Sequence, residues 1–159
     1  MQYVQDYNER MPLIASNPVT SSRAPFAKPF GWADAIQPYL KSTQVLQCPT
    51  EGSQSNTSEA AAPGFTDYWF NTRLAGLRQS AIREPSNVVM CGDGNDGLDI
   101  TNARYNRSNL PAAWLDSADS PVRRHNRGMG GFLCADGSAY LRTPEFFKHW
   151  LSFSPASTR

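Results

Sequence analysis

Phe132-Leu133-Cys134-Ala135-Asp136-Gly137-Ser138-Ala139-Tyr140-Leu141 holds two β-prone runs on either side of an Asp-Gly pair. Asp-Gly readily supplies the two positive φ angles of a type I′ turn, so this stretch predicts a β-hairpin. Working outward, residues 66–71, 87–91, 131–135 and 138–142 are short β-prone runs bounded by Gly, Asp and Asn. Together they predict an antiparallel sheet within residues 66–142.

After the hairpin, residues 144–153 begin with Pro at a first helical position and place Phe146, Phe147, Trp150 and Leu151 on one face. That pattern predicts a C-terminal helix packed on the sheet. Before the sheet the period is helical. Tyr3, Val4, Tyr7 and Met11 fall on one helical face of residues 1–11, with no capping residue ahead of them, as at the end of a longer helix. Pro12 ends that segment. Trp32, Ile36, Tyr39 and Leu40 repeat with helical spacing over residues 30–41, where Pro38 is expected to kink or divide a second helix. Residues 17–29 and 51–64 read as loops rich in Pro, Ser, Thr, Ala and Gly. Residues 92–124 read as a long irregular stretch, functional or hiding short elements. The expected class is α+β, one domain over residues 1–159.

The charge balance is 15 Lys and Arg against 14 Asp and Glu, without a broad basic cluster. Nucleic acid is therefore not an expected partner. Arg104, Arg107, Arg123, Arg124 and Arg127 are expected on a solvated surface. No apolar run approaches the roughly 18 residues of a membrane span, and residues 1–30 lack the pattern of a signal peptide. The cysteines are Cys48, Cys91 and Cys134, an odd number with no C-x-x-C pair, so a zinc site built from these three lacks its usual close ligand pairs.

Five segments taken in order resemble one family, the bacterial prepilin-type proteins named for a His, nine residues and then Asp-Gly near the C-terminus. Tyr3-Val4-Gln5-Asp6-Tyr7-Asn8-Glu9-Arg10 is similar to the end of that family's long N-terminal helix. Trp32-Ala33-Asp34-Ala35-Ile36-Gln37-Pro38-Tyr39-Leu40 with Cys48-Pro49 is similar to its next signature. Tyr68-Trp69-Phe70-Asn71 and Pro85-Ser86-Asn87-Val88-Val89 look like its middle strands. Arg124-His125-Asn126-Arg127-Gly128 with Ala135-Asp136-Gly137 looks like its terminal motif, although ten residues, 126 to 135, separate His125 from Asp136 here. The extra glycine in Gly128-Met129-Gly130-Gly131 is expected to be absorbed as loop or as a bulge.

The resemblance implies a pilin-like head: a structural, non-enzymatic subunit of a type IV pilus or type II secretion-like filament. It implies a strongly apolar N-terminal helix, processed by a peptidase, that anchors the full-length precursor in the inner membrane and later forms the filament core. Partners are then other pilin or pseudopilin subunits and the assembly machinery, and the head is extracytoplasmic, whether periplasmic, at the cell surface or in an extracellular filament.

Several residues carry candidate chemistry. Asp93, Asn95, Asp96 and Asp99 put oxygen donors on a Gly-flexed loop suited to Ca²⁺, as in the calcium-stabilised loops of secretion pseudopilins, with ordinary turn chemistry as the alternative. Gly97 falls at the fifth loop position and Arg104 at the twelfth, which excludes an EF-hand. Beside Cys134 and Asp136, His125 invites comparison with a nucleophile and base, but Cys134 lies in an apolar run and Asp136 in a turn. The structural expectation is that His125 and Asn126 hydrogen-bond nearby backbone while Asp136 and Gly137 make the hairpin turn. Cys91 and Cys134 each end an apolar strand in Cys-x-Asp-Gly, and form either a disulfide, if the strands are neighbours, or two buried thiols. No G-x-S-x-G or comparable motif supplies a hydrolase site. The competing function is a binding module that takes a glycan or partner protein through the 92–124 region, with Tyr105 and Trp114 exposed.

Overall fold

Residues 2–15, 28–51, 57–97 and 100–156 are described by a computed structural model. The chain forms an α+β fold of short helices on a five-stranded sheet. The strands are β1 (Tyr68–Asn71), β2 (Val89–Asp93), β3 (Asn106–Arg107), β4 (Gly130–Cys134) and β5 (Ala139–Arg142), in the order β3-β1-β2-β4-β5. The pairs β1/β2, β2/β4 and β4/β5 are antiparallel, as expected. The edge pair β1/β3 is parallel, and β3 was hidden in the stretch read as irregular. Two residues are too few to show an alternation in sequence.

The hairpin forms with Leu133 opposite Ala139 and Phe132 opposite Tyr140. Its turn differs from the expected one. Cys134 N donates to Ser138 O at 2.8 Å and Gly137 N to Cys134 O at 2.9 Å, which closes a three-residue loop. Gly137 takes a left-handed φ of 92°, whereas Asp136 does not enter the positive-φ region. Tertiary contacts draw the turn into this form, because Ala135 N donates to Val88 O at 2.9 Å and Asp136 N to Pro85 O at 3.3 Å. The Asp136 carboxylate then accepts from Ser138 N and Oγ at 2.8 and 2.6 Å. Gly137→Ala is expected to cost about 1–2 kcal/mol, because an L side chain pays that in the left-handed region. Urea unfolding of the two proteins checks it.

Alternation along β1 divides the interior in two. Tyr68 and Phe70 join Trp32, Met11, Leu46 and Leu74 on one face, where the Trp32 and Phe70 rings stack at 5.5 Å. Trp69 joins Val89, Phe132, Cys134, Trp114 and Phe153 on the other. Against this second face lies α4 (Pro144–Trp150), whose Phe147 ring is 5.5 Å from that of Phe132. This helix packs on the sheet as expected and ends at Trp150, short of residue 153, because Leu151 turns extended and Ser152 pairs with Val88.

The N-terminal helix is also shorter than expected. It is α1 (Gln2–Asp6), and Met1 lies outside the described residues. Asn8 and Glu9 take left-handed φ angles of 54° and 59°, after which Arg10 bridges to Arg78 and Met11 N bonds Leu77 O. Met11 is thus delivered to the core by an extended segment, although its spacing also fitted a helix. Over residues 30–41 the helix divides as predicted, at Ile36 just ahead of Pro38, into α2 (Trp32–Ala35) and a 3₁₀ turn at Gln37–Tyr39 that contains the proline. Between β3 and β4 stands α3 (Ala112–Asp116). Most of the loop expected at residues 17–29 and part of that at 51–64 fall outside the described residues. Among the described residues no helix is long and apolar enough to cross a membrane.

Candidate functional site

The last residue of β2 is Asp93, whose backbone carbonyl accepts the Trp69 indole N–H at 2.8 Å, which fixes the strand end against the second core. Its carboxylate turns toward β4 and accepts from Gly131 N. The approach is close there, since a Cβ on Gly131 would lie 3.2 Å from Asp93 Oδ2. Asp93 is buried, at 1 % exposure.

His125 enters from a tight loop just before β4. Its backbone N donates to Met129 O at 3.0 Å, and Arg127 and Gly128, with φ of 63° and 67°, fold residues 126–128 back on themselves. The extra glycine is accommodated in this loop, leaving the β4/β5 register regular. The third participant, Cys48, is held by Asp67. One oxygen of that buried carboxylate accepts Cys48 N at 2.6 Å and the other accepts Asn95 Nδ2 at 2.7 Å. Asp67 thereby latches the Cys48 segment to the turn after β2.

These three segments bring Cys48, Asp93 and His125 together. His125 Nε2 is 3.0 Å from Asp93 Oδ2 and 3.7 Å from Cys48 Sγ. On the other side of the ring, Nδ1 is 3.4 Å from Thr50 Oγ1, which is itself 3.0 Å from Cys48 Sγ. Burial pushes the Asp93 carboxyl above the usual carboxylate range, against the opposing pull of Gly131 N–H, His125 and Arg124. A nucleophile–base–orienter triad uses the two imidazole nitrogens for different partners. Here the carboxylate and the thiol face the same nitrogen, which is poor geometry for activating a nucleophile and good geometry for converging donors on one point.

His125 therefore reaches side chains, where backbone partners were expected. Asn126 is exposed in the tight loop, and Asp136 and Gly137 remain in the hairpin turn. The donors expected to share Ca²⁺ point to separate partners. Asp93 meets His125, Asn95 Nδ2 donates to Asp67, and Asp96 Oδ2 accepts Trp114 Nε1 at 2.9 Å. Asp99 lies outside the described residues.

Cys91 and Cys134 do lie on adjacent strands, yet all three cysteines are free thiols. A register shift between Val89 and Cys91 sets Cys134 opposite Val89 and Cys91 opposite Leu133, so the two are not directly paired. Burial, with Asp93 and then Cys134 nearby, pushes the Cys91 thiol up to about 12. Burial likewise raises Cys134, to about 11, against a hydrogen bond from Ser138. At pH 8 both are expected to resist iodoacetamide in the folded protein and to react fully in urea, because the thiolate is the nucleophile. Peptide mass spectrometry before and after denaturation reads this directly.

The arginines expected at a solvated surface are largely tied inward. Arg124 bonds the carbonyls of Gly94 and Asn95 and pairs with Glu51 at 3.1 Å, and Arg104 donates to Phe30 O at 2.8 Å. Tyr105 and Trp114 are buried, with Arg107 lying 4.7 Å above the Trp114 ring, so they offer no exposed aromatic platform. Linear spacing gave no sign that Cys48 and Thr50 belong with His125, which is 77 residues from Cys48. The only pointer was that Cys48-Pro49 and the His125 segment appear in the same ordered set of motifs. Compared with family models, curated proteins and solved structures, the chain gives no significant match.

Proposed function

We propose that this chain is the head of a pilin-like subunit of a type IV pilus or type II secretion-like filament, extracytoplasmic and without catalytic activity. The observation that carries the reading is the use made of the motif residues, whose polar groups tie loops to the sheet and to one another. Trp32 Nε1 donates to Tyr105 O at 2.7 Å, and Asp34 accepts Phe30 N and Gly31 N, both at 2.6 Å. Asn71 Nδ2 donates to Val89 O and Phe153 O, at 2.7 and 3.0 Å. The backbone of Asn87 accepts Ser152 N at 2.8 Å. His125 meets the Cys48 segment. A head that must keep its shape in an assembly needs such ties, because each buried polar group left unpaired costs about 1–3 kcal/mol.

An apolar trough supports the same reading. Ile36, Leu40, Val45, Leu133 and Leu141 line a groove beside β4 and β5, with Val45 and Leu141 exposed by 56 % and 44 %. Contiguous exposed apolar surface commonly marks contact with another chain, and a filament supplies neighbouring subunits.

The test is to raise antibody against this chain and shear surface filaments from bacteria that carry its gene. Recovery in the sheared or periplasmic fraction, lost when the prepilin peptidase is deleted, is the expected result. Confinement to the cytoplasm, indifferent to the peptidase, overturns the reading.

A further inference from the structure

The geometry points to a binding site for one divalent transition metal, zinc by its donor set, made by Cys48 Sγ, Asp93 carboxylate oxygen and His125 Nε2. The three donor atoms all lie within 4.8 Å of one another. With zinc bonds of about 2.3 Å to sulfur and about 2.0–2.2 Å to nitrogen and oxygen, tetrahedral angles put sulfur about 3.6 Å from nitrogen and nitrogen about 3.4 Å from oxygen. The observed separations are 3.7 Å for Cys48 Sγ to His125 Nε2 and 3.0 Å for His125 Nε2 to Asp93 Oδ2. To seat the ion the His125–Asp93 pair opens by a few tenths of an ångström, and Cys48 Sγ and the Asp93 oxygen, within 4.8 Å of each other, settle about 3.6 Å apart.

The chemistry of the donors selects the ion. Thiolate and imidazole are poor ligands for Ca²⁺ and Mg²⁺, which take oxygen, and good ones for zinc and its neighbours in the first transition row. Three protein donors leave a fourth position to solvent. The site needs only one of the cysteines, so the missing C-x-x-C spacing does not count against it.

The supporting contacts are those a metal site requires. A ligating imidazole is oriented by a bond from its other nitrogen, and His125 Nδ1 faces Thr50 Oγ1 at 3.4 Å. A ligating carboxylate is oriented in the same way, and Asp93 is held by Gly131 N and by the tethering of its own carbonyl to Trp69. The Cys48 backbone is held by Asp67. Metal entry displaces the proton of Cys48, which leaves to solvent. His125 binds as the neutral ring, with its remaining proton on Nδ1 directed at Thr50. The ion then clips three segments together at the place where the two signature motifs meet. This inference stands apart from the filament reading, since it rests only on the donors and their distances.

The experiment uses the whole chain, stripped with a chelator under reducing conditions and titrated with Co²⁺ as a spectroscopic stand-in for Zn²⁺. The expected result is an intense near-ultraviolet thiolate-to-cobalt charge-transfer band that saturates at one ion per chain and is abolished by a stoichiometric addition of Zn²⁺. Cys48→Ser should lose the band and Cys91→Ser keep it. Asp93→Asn and His125→Gln should weaken zinc binding by about tenfold or more. Should Cys48→Ser fail to fold, alkylation of wild-type Cys48 replaces it, with Zn²⁺ expected to protect that thiol and Ca²⁺ to leave it unprotected. Absence of the band in folded wild type overturns the site, as does a band that survives in Cys48→Ser. Stabilisation by Ca²⁺ without the cobalt band also overturns it, and returns the metal chemistry to the oxygen donors after β2.

Discussion

Trp69→Ala is expected to lower the free energy of unfolding by about 3–5 kcal/mol from the lost packing and cavity alone. The indole is completely buried, stacks on Phe153 at 5.1 Å and donates to Asp93 O at 2.8 Å. Truncation also leaves that carbonyl without its partner, which adds about 1–3 kcal/mol if water does not replace it. Since a domain has only about 5–15 kcal/mol in total, this one substitution removes a large share of the margin. Trp69→Phe is the intermediate case, because it keeps most of the apolar contact while losing the hydrogen bond and part of the ring volume. Urea unfolding should rank the three proteins wild type, Trp69→Phe, Trp69→Ala. A loss below about 1 kcal/mol for Trp69→Ala would mean that the two cores are not divided by β1 as described.

Gly31→Ala is the second large effect, and it arises for a different reason. The φ of Gly31 is −153°, a backbone conformation open to any residue, so conformational freedom does not demand glycine here. Space does. An added Cβ would lie 2.2 Å from Ala103 O and 2.4 Å from Ala103 C, both backbone atoms that no rotamer change can move. Relief requires shifting the start of α2 away from residues 103–105, which strains the Ala33 N bond to Ala103 O at 3.2 Å and the Trp32 Nε1 bond to Tyr105 O at 2.7 Å. The expected loss is at or above the upper end of the roughly 1–3 kcal/mol typical of overpacking. Gly128→Ala is the internal comparison: its φ is 67°, but the nearest atom to a new Cβ is the tip of Arg123 at 3.9 Å. It should therefore pay only the left-handed penalty of about 1–2 kcal/mol. Gly31→Ala must be the more damaging of the two in thermal or urea unfolding, and the reverse order would contradict the close approach of Gly31 to Ala103.

What was legible in the sequence follows from local causes. The β-prone run around Tyr68-Trp69-Phe70 announced a strand, and the apolar spacing of Phe146, Phe147, Trp150 and Leu151 announced a helix against the sheet. Pro38 divided a helix because it lacks the N–H that helix needs. Where two local conformations satisfied the same pattern, the prediction failed. Met11 reaches the core from an extended segment, and the Asp136-Gly137 turn adopts a three-residue loop because Val88 O and Pro85 O claim its amides.

The candidate site was legible only in its separate pieces. Local sequence was enough to establish an α+β chain, a terminal hairpin and a C-terminal helix, since each depends on residues a few positions apart. The tertiary structure decided which side chains His125 meets. Asp93 was expected among oxygen donors and lies instead against an imidazole, and Cys48 was expected in no site at all. That outcome turns on the β2/β4 register and on the Asp67 latch, which place residues far apart in the chain within bonding distance. Donor chemistry is a property of single residues, whereas coordination is a property of distances that only the folded backbone sets.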